Sequence, residues 1–283
     1  SHINLLPLAA LMMVLRSSLK IVMLAHGVEV WRGIANWKRR FINKHINVWA
    51  VSDFTAQHLI DHQGIDPDRI IIVNNCLDPF FEIPVSLNKP HKLLEKYQLS
   101  NDQFIIVTIS RLTKYDSEKG YDKILEILPK LLPKYPGIRY LICGLSHQQE
   151  KTRLQNLINK YKLQEYVKLL GFIKEEELTS HYLLADLFAL PSKKEGFGIV
   201  FIEAAACGCK IISGNSDGSR DAMLKGKLGT MIDPDNSDEL KQAIVNHLEK
   251  DKTCHDAKRI QDGCLGNFSH EQFIMKVKNI IES

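Results

Sequence analysis

The sequence predicts an α/β protein built from doubly wound parallel sheets, and two observations carry that prediction. Runs of β-branched and other apolar residues, most of them about five residues long, are typical of strands buried on both faces of a parallel sheet. These runs alternate with longer amphipathic segments, an order that places helices between parallel strands through right-handed crossovers. The predicted strands are residues 20–25, 47–51, 69–73, 104–110, 139–143, 166–170, 186–190 and 210–213.

The apolar segment at residues 5–15 is interpreted as a core helix that leads into the first strand. It contains Pro7, ends at Arg16, and is too short for a membrane-spanning helix, which needs about 20 apolar residues. It also lacks the basic region and the small-residue cleavage site of a secretory signal. The other helices that we predict are residues 121–132, 149–161, 198–207 and, after Gly263 and Gly266, 270–281.

A proline-rich segment at residues 77–93 separates two blocks of strands and helices. It holds Pro79, Pro84 and Pro90 and shows no clear periodicity, as expected for a linker between domains. The predicted domains are residues 1–85 and 86–266, followed by a C-terminal helix at 267–283 that packs back on the first domain. Ligands of open α/β sheets bind beyond the carboxyl ends of the strands, so two tandem sheets predict a cleft between these edges.

Composition excludes several classes of protein. The 283 residues are 45% hydrophobic and 25% charged, which is ordinary for a globular protein and too apolar for a disordered chain. Lys and Arg number 37 against 33 Asp and Glu, an excess too small to indicate nucleic-acid binding. Six cysteines at scattered positions form no regular framework, which predicts a reducing compartment, the cytoplasm.

The loop after the seventh predicted strand is the most informative motif. The strand ends at Leu190, and a helix begins near Gly198. Gly196 and Gly198 let a ligand approach the backbone, and the helix N-terminus offers free N–H groups to a phosphate. Seven residues separate Glu195 from Glu203, so the loop and the helix can present two carboxylates to the hydroxyls of one ligand. Two unrelated surface glutamates are the plainer alternative.

This segment resembles the E-x7-E motif of retaining GT-B glycosyltransferases, which include sucrose synthases and many bacterial mannosyl- and glucosyltransferases. The resemblance implies a GT-B fold with two Rossmann-like domains. The first domain is expected to be incomplete, because the chain opens on residues that resemble the middle of that domain. Glu195 and the backbone after it would orient the transferred sugar, and Glu203 would bind the ribose. The donor-binding residues implied here are Glu195, Gly196, Phe197, Gly198, Ile199 and Glu203.

Two further segments match the same family in the expected order. The resemblance assigns Arg111 and Lys119 to the donor diphosphate, whose growing negative charge needs cations during transfer. Lys119 precedes a glycine and fits the family pattern better than Lys114, although the loop is longer than in many relatives. Phe172 and Ile173 follow a predicted strand at the place where relatives contact the nucleobase through main chain and side chain.

His26 is the candidate that the first domain contributes. It follows the first predicted strand and precedes a glycine, so its side chain can reach into a cleft. In relatives a histidine at such a place contacts the donor sugar near the reacting centre, and a purely structural histidine is the alternative. The catalytic residues that the resemblance implies are thus His26, Arg111, Lys119 and Glu195. Asp221, where relatives often carry Glu, is given no catalytic role.

The function implied by the resemblance is retaining transfer of a hexosyl group from a UDP-, GDP- or ADP-sugar to an acceptor hydroxyl on a glycan, a lipid or a small molecule. No prosthetic group and no metal are implied, since cationic side chains can replace a divalent ion. A GT-B epimerase and a non-catalytic sugar-nucleotide-binding fragment remain alternatives. The basic, aromatic segment 37–44 suggests peripheral contact with the inner face of a membrane, with a solvated helix face as the alternative.

Overall fold

Two parallel β-sheets flanked by helices make up the structure, a computed structural model that describes residues 2–16, 18–113, 118–250 and 254–282. The predicted α/β class is confirmed. None of the helices in these parts of the chain is long and apolar enough to cross a bilayer.

The first sheet belongs to the N-terminal domain and has the strand order β1-β2-β3. Its strands are Ile21–Ala25, Ile46–Ala50 and Ile70–Ile72, and its helices α1 to α4 are Leu6–Leu15, Val28–Trp31, Asn36–His45 and Asp53–Gln63. The ends of α4 show why the chain folds this way locally. The Ser52 side chain accepts a hydrogen bond from the Thr55 N–H, and Gly64 ends the helix in the left-handed conformation, with φ 63°.

The second sheet has six parallel strands in the order β6-β5-β4-β7-β8-β9. Strands β4 to β9 are Phe104–Ile109, Ile138–Cys143, Val167–Gly171, Leu187–Leu190, Lys210–Gly214 and Thr230–Ile232. Helices α5 to α11 are His91–Lys96, Tyr121–Leu131, Gln148–Lys160, Glu175–Leu184, Ile199–Ala206, Ser219–Ala222 and Ser237–Leu248. The order in which strands are added reverses between β4 and β7, and such a switch point is where open α/β sheets bind ligands.

Two details of this domain differ from the sequence-based expectation. Strand β9 was not predicted, because Gly229 and Asp233 bound it and leave only Met231 and Ile232 as an apolar run. Helix α12, Cys254–Phe268, was not predicted; it contains Gly263 and Gly266, which precede the last helix as expected. Gly263 packs there against Leu228, whose Cδ2 atom would lie 3.1 Å from a Cβ at that position.

The segment between the two sheets is held against the second domain by α12. The Leu77 N–H donates to the Phe268 carbonyl at 2.9 Å, and the Gln261 side chain donates to the Pro84 carbonyl at 2.9 Å. The domain boundary that we place at residue 85 stays a prediction. The last helix, α13, spans His270–Glu282 and has no buried residue, and its packing on the first domain remains a prediction.

Candidate active site

A cleft of about 670 Å³ lies between the two domains, beyond the carboxyl ends of β4 and β7. It therefore sits at the switch point of the second sheet. The residues that line it are Asn4, Val28, Glu29 and Arg32 from the first domain and Arg111, Thr113, Glu118, Lys119 and Lys194 from the second. Among the described residues that line it, cationic side chains outnumber carboxylates by four to two, which favours an anionic ligand.

Lys119 and Glu195 form an ion pair at the wall of this cleft. Lys119 Nζ donates to Glu195 Oε1, and the two side chains are only 10% and 14% exposed. Burial raises the pKa of the Glu195 carboxyl, and although the Lys119 ammonium opposes this effect, the pKa stays above its ordinary value. The pair sets an ammonium donor beside a carboxylate acceptor, the two groups that bind phosphate oxygens and sugar hydroxyls.

Asp217 holds the loop that carries Glu195. Its fully buried carboxylate accepts hydrogen bonds from the Ser192 hydroxyl at 2.6 Å, the Glu195 N–H at 2.8 Å and the Ser219 N–H at 2.9 Å. The Gly218 N–H also donates to the Glu195 carbonyl at 2.8 Å. These bonds tie the loop after β7 to the loop after β8 and fix the backbone of Glu195. Sequence analysis missed Asp217, whose only signal was its position after a predicted strand.

The two domains touch where Gly196 meets the turn formed by His26 and Gly27. A Cβ at Gly196 would overlap the His26 carbonyl oxygen, and a Cβ at Gly27 would lie 2.9 Å from the Gly196 Cα. The His26 N–H donates to Glu29 Oε1 at 2.6 Å, so Glu29, also missed from the sequence, holds this turn. The structure thus brings the exposed His26 next to the loop that carries Glu195. That the His26 side chain contacts the donor remains a prediction.

Asp221 makes a second contact between the domains. Its Oδ2 atom accepts hydrogen bonds from the Asp53 N–H at 2.6 Å and from the Asn74 side chain at 3.2 Å. Burial is the main reason that the pKa of the Asp221 carboxyl is raised. This residue, to which we assigned no catalytic role, therefore joins the loop after β8 to the first domain.

Glu203 lies on α9 and is held by a tyrosine. The fully buried Tyr182 donates its hydroxyl proton to Glu203 Oε2 at 2.7 Å. Burial raises the pKa of the Glu203 carboxyl, and the nearby charges of Asp78 and Glu175 add to the effect. This hydrogen bond fixes one oxygen of Glu203 and so orients the carboxylate. The pairing of Tyr182 with Glu203 could not be predicted from the sequence.

The shifted pKa of Glu203 predicts how stability depends on pH. Because the folded-state pKa is raised, the stabilising contribution is complete below the unfolded pKa of about 4.3 and is lost as pH rises through the folded value. Glutamine carries no charge and keeps an oxygen for Tyr182. We therefore expect the free energy of unfolding of Glu203→Gln to fall less than that of the native protein between about pH 4 and pH 8.

Urea unfolding at several pH values measures this difference. The matched control is Glu176→Gln, which removes the same charge from an exposed position on α8 and should leave the pH dependence of the native protein unchanged. A Glu203→Gln profile parallel to that of the native protein would contradict the expectation.

The remaining predicted donor-binding residues differ in exposure. Phe197 is buried and packs edge-to-face on Phe268, with ring centroids 5.6 Å apart, which leaves its backbone for a ligand. Ile173 is likewise buried in the core, so the side-chain contact expected with the base is left to Phe172, which is 69% exposed. Ile199, at the start of α9, is 43% exposed. Lys114 lies outside the described residues.

Comparison with known proteins places these features in context. The family model for glycosyl transferases group 1 matches residues 91–261, and the glycosyltransferase family 4 model matches residues 1–80. The chain is 30% identical over 217 residues to the GDP-mannose-dependent alpha-(1-6)-phosphatidylinositol monomannoside mannosyltransferase of Mycolicibacterium smegmatis, covering 74% of this chain and 52% of that protein. It is 28% identical to the alpha-monoglucosyldiacylglycerol synthase of Acholeplasma laidlawii over 172 residues, covering 61% of this chain and 40% of that protein. The chain thus spans about half the length of these relatives, or less.

Solved structures give a consistent result for the fold. A crystal structure of a glycosyltransferase from Rickettsia africae matches with a TM-score of 0.76 and 28% identity, covering 92% of this chain and 69% of that one. HepE of Anabaena, crystallised with UDP, matches with a TM-score of 0.83 and 21% identity, covering 99% of this chain and 76% of that one. These likenesses confirm the predicted GT-B fold.

Proposed function

The chain belongs to the glycosyl transferases group 1 family, and from this premise we propose that it transfers a hexosyl group from a nucleoside diphosphate sugar to an acceptor hydroxyl, with retention at the anomeric carbon. The observation that carries the proposal is the buried Lys119–Glu195 pair beside Arg111, in a cleft that both domains line. It provides cations for a diphosphate and a carboxylate for sugar hydroxyls at one place.

Donor binding follows from the chemistry of these groups. Arg111 and Lys119 bind the diphosphate oxygens, while Glu195 accepts hydrogen bonds from hydroxyls of the sugar. Glu203, with Oε2 held by Tyr182, offers its other oxygen to the ribose. The α9 N-terminus adds a positive dipole end to the phosphate site.

The reaction then depends on positioning and electrostatic stabilisation. The bond between the anomeric carbon and the diphosphate oxygen breaks, and its electron pair moves to the diphosphate, where Arg111 and Lys119 stabilise the charge. The acceptor oxygen bonds to the carbon on the face that the diphosphate leaves, and its proton passes to the departing phosphate oxygen. No protein nucleophile is needed, because the cleft holds both reactants in position.

The identity of the donor is narrowed by the relatives. HepE has been crystallised with UDP and with UDP-glucose, and the mycobacterial relative is named as GDP-mannose-dependent. We therefore propose a UDP- or GDP-sugar as the donor of this chain, with an ADP-sugar as the remaining alternative that the resemblance implies.

A calorimetric screen of these sugar nucleotides, followed by a turnover assay, tests the proposal. We expect one donor to bind and to release its nucleoside diphosphate only when an acceptor is present. Arg111→Gln should weaken binding by about tenfold, the effect of one charge-assisted hydrogen bond, whereas Arg40→Gln, which removes an exposed cation elsewhere, should not. Binding without turnover for any acceptor would favour the non-catalytic alternative, and no binding at all would overturn the proposal.

Turnover is expected to be independent of divalent metals. Within the described ranges, no group of three or more His, Cys, Asp or Glu side chains is arranged to hold a metal ion, and Arg111 and Lys119 supply the positive charge. Because Arg111 and Lys119 carry the charge that stabilises the departing diphosphate, excess EDTA should leave the initial rate of nucleoside diphosphate release unchanged. A rate that falls with EDTA and returns with Mg²⁺ or Mn²⁺ would contradict the mechanism.

We propose that the acceptor is a lipid or a glycan at the inner face of a membrane. Both relatives described above carry a lipid in their printed names. On this chain, α1 exposes Leu8, Leu11 and Leu15, while α3 exposes Trp37 beside several basic residues. Lys38 Nζ donates to the Ile3 carbonyl at 3.3 Å and joins the two elements. An apolar helix next to a basic, aromatic one fits an anionic bilayer surface.

Vesicle co-sedimentation tests this contact. The chain should sediment with vesicles that contain phosphatidylglycerol and much less with phosphatidylcholine alone, because the basic residues attract anionic lipid. Leu11→Gln combined with Leu15→Gln should release it. The matched control, Ile274→Gln with Met275→Gln on the exposed face of α13, should not, and equal release by both pairs would overturn the assignment.

A further inference from the structure

A second cleft lies at the opposite edge of the second sheet. Its volume is about 590 Å³, within the range of about 300–1,000 Å³ that is usual for small-molecule sites. Lys210 and Thr230, the first residues of β8 and β9, lie in its wall. Because the strands are parallel, these amino ends face away from the carboxyl edge where the donor cleft lies. The second cleft is therefore separate from the donor site.

The charge of this second cleft is strongly positive. Four cationic side chains from different parts of the chain line it, namely Lys210, Lys227, Lys250 and Arg259. Among the described lining residues, Asp256 is the single carboxylate. Several cations that line one cleft together raise its attraction for an anion. The arrangement therefore favours a ligand with more than one negative charge.

His247 adds a hydrogen-bonding group to the same cleft. Its Nε2 atom lies 3.2 Å from the Thr230 hydroxyl, and its Nδ1 atom is buried with no hydrogen-bond partner among the described residues. Burial, together with the charges of Lys210 and Lys250, lowers the pKa of His247 to about 4, so the ring is neutral at pH 7. Because Nδ1 is buried, a ligand in the cleft meets the ring as a neutral group beside the cations, not through that nitrogen.

We propose that this second cleft binds a phosphorylated small molecule. Phosphate oxygens accept hydrogen bonds from ammonium and guanidinium N–H groups, and such groups line this cleft from β8, the α11 end and α12. Bound phosphate accepts from these cationic side chains and places its negative charge beside the His247 ring. The site does not depend on the proposed transfer reaction, because it shares no residue with the donor cleft.

Titration with inorganic tripolyphosphate at constant ionic strength tests the proposal. We expect calorimetry to show a binding event that Lys250→Gln combined with Arg259→Gln weakens by about tenfold or more, as expected for lost charge-assisted contacts. Both side chains are exposed, so the fold should persist, which a thermal melt checks. The matched control is Lys276→Gln with Lys278→Gln, which removes the same charge from exposed positions on α13 and should leave the affinity unchanged.

Two further measurements locate the bound probe. Arg111→Gln alters the donor cleft and should leave this binding event intact. The imidazole nitrogen signals of His247 should shift on addition of tripolyphosphate, with the pKa of the ring rising because the anion favours the charged form. Equal affinities in the two double variants, loss of the event in Arg111→Gln, or an unmoved His247 signal would each overturn the proposal.

Discussion

Replacing Lys119 by methionine is expected to abolish measurable transfer and to destabilise the fold. The change leaves Glu195 in a buried position without its cation, and breaking a buried ion pair in this way costs about 3–5 kcal/mol. The lower end of that range applies here, because the pair borders a cleft open to solvent. The same change removes a cation that stabilises the departing diphosphate, and loss of one such donor lowers turnover by about 100-fold or more.

The double variant Lys119→Met with Glu195→Gln separates the two effects. It removes the unpaired charge, so urea unfolding should return the free energy of unfolding to within about 1 kcal/mol of the native value. The single variant Glu195→Gln completes the cycle that gives the coupling of the pair. Turnover should stay lost, because neither the diphosphate nor the sugar has regained its partner. Recovery of turnover together with stability would show that the pair is structural only and would contradict the assignment.

The strands of this protein were predictable because each is a short apolar run. Every predicted strand agrees with the structure to within one residue at either end, since burial on both faces leaves a continuous apolar signal. Strand β9 escaped detection because Gly229 and Asp233 cut its apolar run short, whereas β3, also of three residues, lies in a run that continues to Val73. The edge at which the site lies was also predictable, since parallel strands place all their following loops on one side.

The direct pairing of Lys119 with Glu195 was not predictable from the sequence. The two residues are 76 positions apart and were assigned to different parts of the donor, one to the diphosphate and the other to the sugar. Sequence order places their loops after β4 and β7, but only the pairing of those strands makes them neighbours. Asp217 was missed for a related reason, because an aspartate before a glycine is ordinary turn chemistry until Ser192 and Glu195 are brought to it.

Gly196→Ala is expected to prevent the domains from closing on one another. The new methyl group would overlap the His26 carbonyl oxygen and lie 3.0 Å from the His26 carbonyl carbon. The Gly196 loop has no room to move away from His26, because the backbone of Gly218 packs against its other side. This packing is so close that a Cβ at Gly218 would overlap the Gly196 carbonyl oxygen. Backbone therefore surrounds this position on two sides, and overpacking of this kind costs about 1–3 kcal/mol. Turnover should be lost, because moving the Gly196 loop away from the turn at His26 separates the two domains, and both of them line the cleft.

Gly33→Ala is the matched control for this prediction. A Cβ at Gly33 has no atom within 4 Å, and its φ is not positive, so alanine should leave turnover unchanged and alter stability by less than about 1 kcal/mol. Small-angle X-ray scattering should show a larger radius of gyration for Gly196→Ala than for Gly33→Ala, because the two domains can no longer touch at this point. If both variants scatter alike and turn over alike, the contact between Gly196 and His26 does not hold the domains together, and other contacts, such as the one that Asp221 makes with Asp53 and Asn74, must close the cleft.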